Sequence, residues 1–522
     1  MKKNQPLRKP NQEIELKLAL PTDDPMTLAK RLAHTSVLAR RKPTQLRFNN
    51  VYYDTPEEVL RQSRVALRIR RIDSDTNRQW VQTLKTGGSI DSALSQRGEW
   101  EVPVPSDALV LDALKATPWS KIDPDGTVFE ALEPTFSTVF ERTSWLVRRR
   151  DASVIAVTLD LGHITAGEKS TPICELEFEL RSGQPAALFD LAQQIARTIA
   201  VLPVNMSKAE RGYALTKNAL YKPLRAQSPK LTKNLSLQEA AGHVLREMFS
   251  QFINNLNTLR TTDDPEVVHQ ARVGWRRFKS ALRLFKPALA ASVMPSWAAL
   301  ESLLKSLGEL RDLDVACYET LPPLADTYIA GDAQRADAWQ VMTQGLPQVV
   351  NLHRKSVRDA LQDPSVGSAL LAITQWLEQL TAPNGQTNVG SDLKVSNQNW
   401  GWRRMIRLHR QLKIACKDSD NPDSQHRVRI LAKRMRYGIE SVQSWLPKQR
   451  AKRWYLQATD LQLSLGAARD LLQAAALVEK LDVDRGLAEF LRGLAAGQAR
   501  LASHGRFTAR IGASAWQDNL KG

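Results

Sequence analysis

The chain has 522 residues, too many for one hydrophobic core, so two or more domains are expected. Hydrophobic residues make up 42% and charged residues 25%, as in ordinary globular protein, but the net charge of +18 favours a polyanionic partner: polyphosphate, nucleic acid or an anionic membrane surface. Cys174, Cys317 and Cys416 lie far apart and form no CxxC pair, which points to a reducing cytoplasm; no apolar stretch follows the basic MKKNQPLRKP, and no run approaches the ~18 residues of a membrane span.

From residue 13 to about 220 the chain reads as strands: EIELKL, FNNVYYDT, VALRIRR, WVQTLK, RGEWEVPV, SWLVRRR, VIAVTLDLG and ICELEFEL, separated by turn residues. In EIELKL, strict alternation puts Glu13, Glu15 and Lys17 on one face and Ile14, Leu16 and Leu18 on the other. An ordinary half-buried strand looks the same, with its charges in water. Other strands, however, also gather like charges on one face: Arg68 with Arg70, and Glu175 with Glu177 and Glu179. Such clusters on different strands suggest a closed barrel with a charged lumen, its acids holding hard divalent cations and its bases an anion. A triphosphate needs both, since Arg and Lys clamp its oxygens while a cation bridges them to carboxylates.

Residues 223–234 (PLRAQSPKLTKN) read as a linker, and Ser236-Leu237-Gln238-Glu239 as a helix-opening capping box. Beyond it apolar residues recur every three or four positions, interrupted by a polar stretch from Asn384 to Asn399. This half contains a duplication. DPEVVHQAR at 264–272 returns as NPDSQHRVR at 421–429, and LGELRD at 307–312 as LGAARD at 465–470, with Leu472 where the first copy has Asp314. The two histidines stand 157 residues apart, so the repeat is a folded unit. His269, Arg272, Arg276 and Lys279 fall within an arc of ~80° on one helix face, as do His426, Arg429, Lys433 and Arg436 on another. A solvated basic face is the ordinary explanation. Yet such a stripe repels itself, and repeating it with a histidine in register favours an anion-binding face. One histidine per stripe without carboxylates argues against a metal, and aromatics that do not interleave with the stripes argue against nucleic acid.

Glu13-x-Glu15-x-Lys17, with the segments YDT at 53–55, LRIR at 67–70, TLK at 83–85, RGEWE at 97–101, LDLG at 159–162 and SKAERGY at 207–213, resembles the CYTH family of triphosphate tunnel metalloenzymes. The duplicated half resembles the CHAD domain, the conserved-histidine α-helical domain. The resemblance implies an α+β chain of two domains: an eight-stranded antiparallel β tunnel barrel with flanking helices over 10–220, a linker over 221–235, and over 236–515 an all-α pair of four-helix bundles related by a pseudo-twofold repeat (about 236–380 and 400–515). It implies Glu13, Glu15, Asp160, Glu175 and Glu177 as metal ligands for Mg²⁺ or Mn²⁺. Lys17, Arg68, Arg70, Lys85, Arg142 and Lys208 become phosphate contacts, with Glu13, Glu15 and Lys17 catalytic. Glu99 and Glu101 match the family pattern without a defined role, and Glu179 is a candidate for holding an arginine in place. The activity so implied is cytoplasmic hydrolysis of inorganic tripolyphosphate to pyrophosphate and phosphate. Both stripes, His269 to Lys279 and His426 to Arg436, would bind long-chain polyphosphate, placing the protein on polyphosphate granules. Adenylate cyclase, thiamine triphosphatase and a non-catalytic polyphosphate-binding scaffold stay open as alternatives.

Overall fold

The computed structural model describes residues 12–22, 24–74, 78–88, 92–232, 235–381, 397–417, 422–481 and 485–503. The N-terminal decapeptide, most of the 384–399 stretch, the cap position Asn421 and the C-terminal end of the second repeat lie outside them.

Eight strands form an antiparallel barrel: β1 (Gln12–Ala19), β2 (Thr44–Asp54), β3 (Val65–Asp73), β4 (Arg78–Thr86), β5 (Leu94–Val104), β6 (Glu133–Arg148), β7 (Val154–Ala166) and β8 (Lys169–Ser182). Their order is β5-β4-β3-β2-β6-β7-β8-β1, and β1 pairs back onto β5 at Glu13–Arg97 and Glu15–Ser95. Closure turns one face of every strand inward. On β1 the alternation resolves as the sequence predicts: Leu16 and Leu18 are fully buried on the outer face, yet Glu13, Glu15 and Lys17 are also only 4–6% exposed. The charges therefore face one another inside the barrel. Strand β6 begins well before the SWLVRRR run because Phe136, Thr138 and Phe140 continue its alternation; a two-residue strand, Leu202–Pro203, adds to β1.

Short helices α1 (Leu28–Ala33), α2 (Val59–Gln62) and α3 (Thr127–Glu130) flank the wall, with the longer α4 (Ala186–Ala196) and α5 (Lys208–Thr216). Leu188, Leu191 and Ile195 of α4 pack on Leu16, Leu18, Trp145 and Phe178; burying each such side chain contributes ~1.5–3 kcal/mol. Helix α5 lies against β6, β7 and β8.

The rest is helical: α6 (Leu237–Leu259), α7 (Pro265–Phe285), α8 (Glu301–Val315), α9 (Ala325–Ile329), α10 (Ala333–Ala360) and α11 (Pro364–Thr381), then α12 (Asn397–Lys417), α13 (Pro422–Val442), α14 (Lys448–Ser464), α15 (Ala467–Lys480) and α16 (Arg485–Ser503). The capping box at α6 is present: Glu239 N–H donates to Ser236 Oγ at 3.2 Å, and Ser236 N–H to Glu239 Oε2 at 2.8 Å. Asp264 caps α7 by accepting from Glu266 N–H at 2.8 Å, with Pro265 in the first helical position. The apolar sides predicted for both repeats are buried: Phe278, Ala281 and Phe285 on α7, and Met435, Ile439 and Val442 on α13. The copies differ in their third helix. It is continuous through LGELRD in α8, but the equivalent LGAARD segment breaks between α14 and α15 at Leu465–Gly466.

Helix α11 connects the two halves: it packs on both α6 and α4, joining the barrel to the helical half. At Gly367 the backbones approach so closely that a Cβ would stand 2.2 Å from Val201 O, so only glycine fits.

Candidate active site

The barrel lumen holds a cavity of about 530 Å³, and about half of the residues that line it are charged. Cross-strand register builds its acidic wall. Arg142, Asp160 and Glu175 are directly opposite one another across β6, β7 and β8, and one step along Lys17 stands opposite Glu177. Arg142 grips Asp160 with two parallel bonds, Nε–Oδ1 at 2.7 Å and Nη2–Oδ2 at 2.6 Å, and also reaches Glu177 Oε2 at 2.7 Å. Asp160, Glu175 and Glu177 each present an oxygen within 4.8 Å of the others, a set able to hold a metal ion. Lys208, the first residue of α5, puts its ammonium among them: 2.6 Å from Asp160 Oδ2, 2.9 Å from Glu177 Oε1, and hydrogen-bonded to Glu175. Burial opposes that charge, but the three carboxylates overcome it and hold Lys208 protonated well above the usual lysine range.

The five acids implied as ligands do not form one cluster. Glu13 accepts from Lys85 Nζ at 3.0 Å and from Arg97 Nε at 2.7 Å; Glu15 lies 3.1 Å from Lys17 and 3.4 Å from Arg97 Nη2. These two pairings set the acids apart electrostatically. Burial works against the Glu13 charge, but Lys85 and Arg97 keep its carboxyl well below the usual range, whereas burial and the neighbouring Glu177 push Glu15 up to about 7. Glu175 does not line the main lumen; it faces a second cavity beyond α5.

The opposite wall is cationic over an aromatic floor. Phe48, Asn50 and Tyr52 of β2 share the inward face with Phe140 of β6. Arg68 Nη1 donates to Tyr52 Oη at 3.2 Å and Arg70 Nε to Asn50 Oδ1 at 2.8 Å, while Arg70 and Arg142 lie over the Phe48 ring at 4.8 and 5.4 Å. Burial and the nearby Arg68 and Arg142 push Arg70 down to about 10. Arg68 is only 6% exposed, yet its Nε and Nη2 have no hydrogen-bond partner among the described residues; Glu99 and Glu101 approach it only to 4.0 and 3.8 Å. Buried guanidinium N–H groups left unsatisfied are costly unless an anion completes them. Glu99 holds Lys85 at 2.7 Å and Glu101 lies 3.5 Å from Arg70, which gives these two acids a place. Glu179 pairs with Arg181 at 2.7 Å.

Four residues without an assigned role complete the frame. Arg97 binds both Glu13 and Glu15, and Asn50 and Tyr52 orient the arginines. Their spacing of two with Phe48 on β2 was the available signal. Asp54, within the tyrosine–aspartate–threonine segment, accepts from the backbone N–H groups of Thr55, Leu60 and Arg61 and from Tyr213 Oη at 2.8 Å, tying β2 to α5 and thereby to Lys208.

In the helical half the two stripes converge. Helix α7 packs on α13 and α8 on α15; Arg277 Nε donates to Glu440 at 2.9 Å, and Gln473 to Asp312 at 2.7 Å. Burial and the other cations push Arg272 down to about 10 and Lys433 down to about 7, and the neighbours of Lys433 include Arg276 and Arg469 as well as Arg429. Arg272 lies against Gly308, where a Cβ would meet its Nη1 at 2.6 Å. The copies are not equivalent. His269 is half-buried, and burial with Arg311 and Arg276 pushes it down to about 4, while His426 is exposed. Arg436 turns toward Glu440 at 3.8 Å and stacks on Tyr437, whereas Lys279 stays beside Arg276 and Arg283.

A closed, charge-lined barrel followed by a duplicated basic helical region defines a two-part class of protein, and the comparisons agree. The CYTH domain family model matches residues 11–213 and the CHAD domain model residues 243–479. The chain therefore carries a CYTH domain followed by a CHAD domain. It is similar to the inorganic triphosphatase of Haemophilus influenzae, at 37% identity over 209 residues; the match covers 39% of this chain and spans about half, 55%, of that protein. Among solved structures it is similar to the CHAD domain from Ricinus communis (26% identity, 56% of this chain and 96% of that one, TM-score 0.46) and to a Hippeastrum protein with a dominant triphosphatase activity (17% identity, 39% and 95%, TM-score 0.27). Among the described residues no helix is long and apolar enough to cross a membrane.

Proposed function

We propose that the barrel hydrolyses inorganic tripolyphosphate with the help of Mg²⁺ or Mn²⁺. The observation that carries this reading is Arg68: a guanidinium buried inside the lumen with unsatisfied N–H groups, across from three clustered carboxylates. A polyphosphate chain satisfies the first set and a divalent cation suits the second. Arg68, Arg70 and Lys85 bind phosphoryl oxygens, held by Tyr52, Asn50 and Glu99. Asp160, Glu175 and Glu177 are the first candidates for the cation, with Glu13 and Glu15 adjoining. The cation would neutralise phosphate charge and polarise water for attack at phosphorus. Arg142, already bound to Asp160 and Glu177, fixes those acids and faces the phosphates together with Lys17. The aromatics that line the lumen are engaged within the protein, Tyr52 by Arg68, Phe140 by Lys208 and Tyr213 by Asp54, rather than left to stack on a nucleobase or a thiazolium; this favours the inorganic substrate over ATP or thiamine triphosphate.

The groove shared by α7 and α13 is proposed to bind long-chain polyphosphate, on the convergence of Arg272, Arg276, Arg429 and Lys433. Trp275 and Phe278 are buried, which leaves no stacking platform for bases on α7 and disfavours nucleic acid. A cytoplasmic protein associated with polyphosphate granules fits this reading. Phosphate release from tripolyphosphate, ATP and thiamine triphosphate, each with Mg²⁺ or Mn²⁺, tests the enzyme. Turnover is expected on tripolyphosphate above the other two, and equal or greater turnover on ATP overturns the substrate assignment.

A further inference from the structure

Beyond α5 the barrel and the helical half enclose a second cavity of about 440 Å³, its walls formed by β8, the 204–206 segment, the linker and α6. Its walls mix apolar and charged side chains. Arg211, Arg260, Lys222 and Arg225 line it from three different parts of the chain. Arg260 leaves the end of α6 and crosses to Leu20 O of the barrel at 2.9 Å. Arg225 meets Glu266 only loosely, at 3.9 Å. The acids on the same walls are committed elsewhere. Glu210 accepts from Ser207 N–H at 2.7 Å in the cap of α5, and Glu247 pairs with Arg277 at 3.2 Å. Glu175 holds Lys208 with one oxygen and meets Arg211 Nη1 with the other at 3.4 Å, close to the limit for a hydrogen bond. The side chains facing the space therefore leave a positive surplus, with Ser250, Asn254 and Thr258 offering further polar contacts.

The cavity also shares a wall with the active site. Val204, Asn205, Met206 and Glu210 line both spaces, and Glu175 faces this one while belonging to the acid cluster of the other. We propose that the junction is a second anion site, taking orthophosphate or pyrophosphate, and that its occupant acts on the tunnel through Arg211 and Glu175. An anion bound at Arg211 competes with Glu175 for the guanidinium and so changes the charge balance around the three clustered carboxylates. The site itself rests on the cations; the choice of phosphate among oxyanions rests on the triphosphatase reading, because that reaction releases both anions.

Crystals of the full chain soaked in tungstate, a phosphate-like oxyanion with strong anomalous scattering, test the site directly. Anomalous density beside Arg211 and Arg260 is expected in the wild type, and should be lost in the double variant Lys222→Glu/Arg225→Glu while density at Arg68 persists. Both substituted positions are exposed, so the fold should tolerate the change. In solution, orthophosphate should lower kcat as well as raise KM for tripolyphosphate in the wild type, and act only on KM in the variant. An empty junction, density undiminished in the variant, or the same inhibition pattern in both proteins overturns the proposal. If the wild type does not hydrolyse tripolyphosphate yet tungstate occupies the junction, the tunnel reading fails and the site stands.

Discussion

Lys208 Nζ lies 2.6 Å from Asp160 Oδ2, inside the trio of carboxylates that could hold a metal ion. A lysine ammonium and a divalent cation cannot share that space, so the same side chain that neutralises the acids also competes for them. Replacing Lys208 by Met should raise the affinity of the substrate-free protein for Mn²⁺ by roughly 10-fold or more, since charge-assisted hydrogen bonds are each worth ~1.5–3 kcal/mol. Mn²⁺ titration followed by electron paramagnetic resonance reads this without turnover. Unchanged Mn²⁺ affinity would show that the cation binds elsewhere. Turnover of tripolyphosphate should fall in the same variant, on the proposal that Lys208 meets phosphate once a cation takes its place among the acids.

Arg68→Ala should lower kcat/KM for tripolyphosphate by ~10–100-fold, as expected for one lost charge-assisted contact to phosphate. It should leave the melting temperature unchanged or raise it, since two of its buried donors have no hydrogen-bond partner among the described residues. A fall in stability with intact kinetics would make the residue structural.

Polyphosphate binding to the helical half should strengthen as pH falls from 8 to 6, and Lys433 should be the cause. Its ammonium, pushed down to about 7 by burial and by Arg429, Arg276 and Arg469, gains its proton across that window, and the protonated form is the one a polyanion favours. His269, pushed down to about 4, stays neutral there and contributes no charge. Affinity for long-chain polyphosphate measured in parallel on wild type and Lys433→Met should show the difference between them shrink toward pH 8. A constant difference across the range refutes the assignment.

Asp314 is fully buried and holds the buried Arg354 at 3.0 Å, whereas Leu472 at the equivalent point of the second copy is half exposed. Asp314→Ala leaves the buried Arg354 with only its longer ion pair to Asp263, at 3.6 Å, and should cost ~3 kcal/mol in denaturant melts. Leu472→Asp should stay within ~0.5 kcal/mol of wild type. Equal losses at the two positions would mean that the repeat is energetically symmetric.

The strand alternation and the helical spacing by themselves determined the two kinds of structure, the inward face of β1 and the apolar faces of α7 and α13. Those features are periodic, and a period of two or of about 3.6 is written into adjacent residues. The charge on Glu13, Glu15 and Lys17 was equally legible, but whether water or other charges met them depended on closure between β1 and β5, which joins residues far apart in sequence. Tertiary structure alone also decided the partners. Lys208, read as a phosphate contact, is set among Asp160, Glu175 and Glu177 because α5 lies across β7 and β8 and Tyr213 ties that helix to Asp54. The two stripes read identically along the chain, yet packing left His426 in water and half-buried His269 beside Arg311 and Arg276. A pKa, a pairing partner and a shared cavity depend on what several distant segments bring within a few ångströms, and local periodicity carries no record of that.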